Sequence, residues 1–120
     1  MKFYRYQETS TPVGSWDYDL EIFRSYGHDD VKVELEIFEL VKETPKGYWI
    51  VSESWVDLDE GFISLAKKWI SKTSRKRFAY PTKQEALDSF LIRKKKQIEY
   101  VKRSLTNAEK ALELGEKIKL

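Results

Sequence analysis

Side chains that could do chemistry crowd into one stretch of this sequence. Lys67-Lys68-Trp69, Lys72-Thr73-Ser74-Arg75-Lys76-Arg77-Phe78 and Tyr80 lead into Arg93-Lys94-Lys95-Lys96, and from Ala66 to Arg103 there are 13 Lys/Arg against 3 Asp/Glu. Guanidinium and ammonium groups hold phosphates, hydroxyls in a turn add directional donors, and aromatic faces stack on bases. That combination suits a nucleotide. The competing reading makes Trp69, Phe78 and Tyr80 ordinary core residues of a strand and the cations a solvated face, because rings dominate cores. The cations between Lys67 and Arg77 repel one another unless something offsets them, which points to an anionic ligand or an acidic protein surface.

Other constellations read as structure. His28 beside Asp29 and Asp30 could be drawn as a general base with its orienting carboxylate, but three polar residues after Gly27 have the chemistry of a turn. The pairs Asp17/Asp19, Glu34/Glu36 and Asp57/Asp59 stand two apart, on one face of a strand, where the wet side of a sheet is the simpler account. With no cysteine and one histidine, disulfides, thiolate zinc sites and cysteine nucleophiles are excluded. No glycine-rich phosphate loop, serine elbow or metal motif occurs. The expectation is a protein that binds without catalysis, with no cofactor and no metal.

The elements that must position the basic stretch follow from periodicity. Tyr18, Leu20 and Ile22 alternate with acids, as do Val31, Val33, Leu35 and Ile37, which predicts two strands joined through Gly27-His28-Asp29-Asp30. Thr44-Pro45-Lys46-Gly47 predicts a second reversal into a strand over Tyr48–Trp55, and Phe3–Tyr6 reads as another strand before a loop over Thr9–Ser15. The adjacent Ile37-Phe38 suggests a bulge. Lys67–Lys72 and Arg77–Tyr80 look like a short hairpin, although the first could be a helical turn. Thr82 and Glu85 form a capping box, after which Ala86, Leu87, Phe90, Leu91, Ile98, Val101, Leu105, Ala108 and Leu112 recur at spacings of three and four. No glycine or proline interrupts Lys83–Leu114, so the helical segment either breaks near Lys94–Lys96 or Thr106-Asn107 or extends to meet another subunit. The expected fold is α+β: a single domain over 1–120, with an N-terminal antiparallel sheet of five to six strands in 1–80 and two C-terminal helices in 82–115. Heptad-like spacing from Ile98 favours helix–helix packing, within the chain or between protomers, and an oligomer is expected.

The net charge of +2 conceals a division: residues 1–65 hold 6 Lys/Arg and 14 Asp/Glu, residues 66–120 hold 16 and 6, so the halves carry −8 and +10. Such polarity implies an anionic partner, self-assembly of acidic and basic faces, or both. Apolar runs are too short for a membrane span or a signal peptide, so the default is an intracellular protein.

Thr44–Ile50, Lys72–Leu87 and Arg93–Ile98 resemble a family of small phage-encoded proteins, the founding family of Thoeris anti-defence proteins. The resemblance spans essentially the whole chain and implies an antiparallel sheet followed by helices. It further implies a homo-oligomer, a hexamer among the candidate assemblies. Such a protein would act in the host bacterial cytoplasm as a sponge, capturing cyclic ADP-ribose signals, and in some members cyclic di- or trinucleotides of related defences such as CBASS, without cleaving them. Residue types alone nominate the site: Phe78 as the base-stacking ring, with Tyr80 or Trp49 as substitutes, Arg75, Arg77 and Arg93 for a pyrophosphate with Lys76 among them, and Arg24 as a second anion contact. Two other classes remain. A nucleic-acid binder would use the basic 67–103 segment, but the −8 half repels an extended polyanion. A host-protein-directed inhibitor would present the acidic sheet.

Overall fold

The computed structural model describes residues 1–120. Four antiparallel strands lie in the order β1 (Lys2–Asp17), β2 (Ile22–Thr44), β3 (Gly47–Ser52) and β4 (Lys68–Ser71). A 3-10 turn at Glu53–Trp55 and helix α1 (Glu60–Ala66) connect β3 to β4, and helix α2 (Lys83–Glu116) closes the chain. The protein is therefore α+β, with an antiparallel sheet followed by a C-terminal helix.

The strands number four, below the expected five to six, because Tyr18–Glu21 forms a turn instead of a strand and Arg77–Tyr80 stays outside the sheet. Thr9–Ser15 continues β1 instead of looping, and the reversal falls at Tyr18-Asp19-Leu20-Glu21 instead of at Gly27–Asp30. Asp17 organises it: its Oδ1 accepts from the amides of Asp19 (3.0 Å) and Leu20 (3.2 Å), and Glu21 completes it with φ 52. Gly27 does adopt the left-handed backbone its type suggested, φ 87, but within β2. There Tyr26, Gly27 and His28 stand opposite Val13 alone, because Ser25 pairs with Gly14 and Asp29 with Pro12. The turn chemistry makes a bulge that lets the hairpin continue. A second irregularity falls between Leu40 and Lys42, three residues beyond the expected Ile37-Phe38. Arg77–Tyr80 forms no strand; Tyr80 makes one antiparallel bridge to Tyr4, with N–H···O distances of 2.7 and 2.9 Å.

The core occupies one face at the base of the sheet. Phe3, Phe38, Ile50, Ile70 and Ala79 are each at most 2% exposed, and Leu40, Tyr48 and Phe78 pack around them. Burying a side chain of this size contributes about 1.5–3 kcal/mol, so these few residues anchor the four strands and the 72–80 segment together. Beyond Gln7 the β1–β2 hairpin runs on as a two-stranded ribbon with Trp16 and Phe23 paired across its end, both about half exposed. A two-stranded ribbon of this kind is marginal in water by itself.

The chain falls into two compact units, Met1–Leu87 and Asp88–Leu120. Helix α2 starts where the capping box predicts: the Glu85 amide donates to Thr82 Oγ1 at 3.2 Å and Thr82 Oγ1 donates to Glu85 Oε1 at 3.1 Å. It is one helix of 34 residues, not the two expected. With helix formers at Lys94–Lys96 and only Thr106-Asn107 as weak points, nothing local stops propagation. No helix is long and apolar enough to cross a membrane.

Candidate ligand-binding site

The segment between β4 and α2 is tied down by its own side chains. Ser71 Oγ accepts from the amides of Thr73 and Ser74, each at 3.3 Å, and Ser74 Oγ donates to the Lys76 carbonyl at 2.9 Å. The Arg77 guanidinium closes the loop from within, donating to the carbonyls of Ser74 (Nε, 2.9 Å) and Lys72 (2.5 Å). The Tyr80 hydroxyl donates to the Arg75 carbonyl at 3.3 Å. These bonds hold the backbone in a tight turn whose apex side chains, Arg75 and Lys76, are exposed. Lys72 leans over the Tyr48 ring at 5.1 Å and pairs with Glu43 at 3.0 Å, so part of the positive charge is answered within the sheet.

Phe78 is layered between cations. Its ring meets Phe38 edge-on at 5.3 Å, while Arg5 stands 4.4 Å and Lys68 4.9 Å from its centroid. Arg5 also donates to the Phe78 carbonyl at 2.7 Å. The ring nominated for stacking is thus a half-buried part of the core whose faces attract cations. On the opposite face of the sheet, Trp49 and Trp69 pair across β3 and β4 with centroids 5.1 Å apart, and the Lys67 ammonium lies 4.6 Å from Trp49. Gly47 makes room for that pair: a Cβ there would come within 2.6 Å of the Trp69 ring and 2.2 Å of the Ile70 carbonyl oxygen.

Of the nominated residues, the structure gathers Arg75, Lys76, Arg77, Phe78 and Tyr80 in one loop. Trp49 projects from the other face, because it lies between Tyr48 and Ile50, which both join the core. Arg24 is far away, opposite Ser15 near the ribbon tip and 2.8 Å from Asp17. Ser15 stands twelve positions beyond Phe3 along β1, about 40 Å of extended strand. Arg93 belongs to the helical unit, with its guanidinium 5.7 Å from the Phe90 ring. The Arg24 guanidinium, together with the Leu20 amide, holds the Asp17 carboxyl below its ordinary value, and hydrogen bonding to Glu53 raises Lys2.

Sequence reasoning missed Arg5 as the cation over Phe78. Its signal was available: with Phe3 facing the core, alternation places Arg5 on the same face. A shallow depression of about 380 Å³ lies elsewhere, lined by Leu35, Glu36, Ile37, Ser52, Glu53 and Ser54, and its carboxylates disfavour an anion. No group of three or more His, Asp or Glu side chains is placed to hold a metal. The 71–80 loop presents cations, hydroxyls and rings, a set suited to holding an anion with a flat moiety.

No protein-family model matches the chain, and neither the curated proteins nor the solved structures contain a match to it.

Proposed function

We propose that this protein is a sponge that binds cyclic nucleotide signals of bacterial immunity, cyclic ADP-ribose isomers foremost, and withholds them from their effector without cleaving them. The observation that carries this reading is the Arg75-Lys76 apex, two exposed cations on a turn held by Ser71, Ser74 and Arg77. A pre-ordered turn loses little freedom when an anion arrives, which is how tight capture of a small ligand is reached. Arg75 and Lys76 take the phosphates. Arg77 acts indirectly by fixing the loop. Phe78 is engaged by Phe38, Arg5 and Lys68, so the stacking role passes to Tyr80, the remaining ring of the same loop. The resemblance of Thr44–Ile50, Lys72–Leu87 and Arg93–Ile98 to the Thoeris anti-defence family supports the choice of ligand class.

The test is calorimetric titration with cyclic ADP-ribose isomers and cyclic di- and trinucleotides. The Arg75→Ala/Lys76→Ala variant is expected to lose binding at least tenfold while unfolding at the wild-type temperature, since exposed substitutions away from contacts shift stability by about 0.5 kcal/mol or less. Binding undiminished in that variant would overturn the assignment. Affinity only for long DNA or RNA, falling steeply with salt, would replace the sponge with a nucleic-acid binder.

A further inference from the structure

The second compact unit carries an interaction surface of its own. From Gln97 to Leu120 every residue of the chain is exposed, and Ile98, Val101, Leu105 and Leu112 are each more than half exposed. With Ala108 these fall at alternating steps of three and four along one continuous helix, the spacing of a coiled-coil seam. A 34-residue helix with such a stripe calls for a partner helix, because its stability in water comes largely from packing that face.

Charge selects the partner and its direction. Residues 93–103 hold six Lys/Arg and one Glu, 6 − 1 = +5, whereas residues 104–116 hold one Lys and three Glu, 1 − 3 = −2. A second copy aligned parallel and in register would set Arg93–Lys96 against the same four cations and place Lys94, which follows the seam's spacing, against itself. Turned antiparallel, the basic half of each copy lies along the acidic half of the other, and the helix dipoles also oppose favourably. The seam then closes in full layers: Ile98 of one copy meets Ala108 of the other, Val101 meets Leu105, and Lys94 lays its methylenes over Leu112. Lys95 flanks the seam opposite Glu109 of the other copy, and Lys102 lies beside its own counterpart near the centre.

We infer that residues 94–112 of α2 pair antiparallel with the same segment of a second copy, with Val101 and Leu105 at the centre and Lys95 facing Glu109 across the seam. The pairing rests on the helix alone and stands whatever ligand the 71–80 loop takes.

The full-length chain, followed by light scattering across a concentration series, is expected to contain an even number of copies. Glu109→Lys, an exposed change that leaves the fold intact, should weaken association about tenfold, and adding Lys95→Glu should restore it. Direction is read separately, since the chain has no cysteine of its own. Ile98→Cys and Ala108→Cys chains should each resist crosslinking alone and form a covalent pair when mixed. A monomer at every concentration, indifference to Glu109→Lys, or self-crosslinking of each single variant in place of the mixed pair would overturn the inference.

Discussion

Phe78 decides between two roles that the same ring could play, and Phe78→Ala measures which one it has. Removing a fully buried Phe costs about 3–5 kcal/mol. Phe78 is only partly buried, which lowers that figure, but its loss also removes the edge-on contact with Phe38 and the cation layers of Arg5 and Lys68. An aromatic pair adds about 0.5–1.5 kcal/mol, and a partly exposed cation–π contact about 0.5–1 kcal/mol. The structure therefore predicts a loss of about 2–3 kcal/mol. For a domain of this size that lowers Tm by on the order of 10 °C. Urea unfolding followed by tryptophan fluorescence reads it directly, because Trp49 and Trp69 sit on the sheet whose core the ring completes. A loss under about 0.5 kcal/mol would refute the packing argument. It would return Phe78 to the role of a free stacking platform.

Gly47→Ala should destabilise more than Gly27→Ala, although only Gly27 has a positive φ: the new Cβ at 47 meets the Ile70 carbonyl oxygen and the Trp69 ring, while that at 27 meets nothing within 4 Å. About 2 kcal/mol or more is expected at 47 against about 1 kcal/mol at 27, compared by chemical denaturation; the reverse order would contradict the close approach. The Asp17 carboxyl titrates below its ordinary 3.8 because the folded chain favours its charged form. Its hold on the ribbon turn is complete above that ordinary value and lost as pH falls through the depressed one. Arg24→Ala should move the Asp17 midpoint up toward 3.8, followed by carboxyl chemical shift, and an unmoved midpoint would assign the effect elsewhere.

Much of the architecture was legible because its signals are local. Thr82 and Glu85 announced the start of α2, and Pro45–Gly47 announced the β2–β3 reversal. What was misplaced turned on choices that only pairing resolves. Gly27 supplies a left-handed residue equally well to a turn or to a bulge, and register with Pro12 and Gly14 selects the bulge. The alternation through Tyr18, Leu20 and Ile22 imitates a strand, but Asp17 draws the amides of Asp19 and Leu20 into a turn instead. For the site, composition identified the loop and not the duties within it. Arg75 and Arg77 are the same residue type two positions apart, yet one is exposed at the apex and the other caps backbone carbonyls inside. Trp49 and Phe78 looked interchangeable until the order Tyr48-Trp49-Ile50 put them on opposite faces.

The sponge reading is tested most directly by titrating the purified protein with cyclic ADP-ribose isomers and cyclic di- and trinucleotides, then denaturing the complex by heat and recovering the ligand. Saturable, tight binding with the ligand returned chemically intact is the predicted result. No binding heat with any of these ligands, or recovery of a cleaved product, would contradict it.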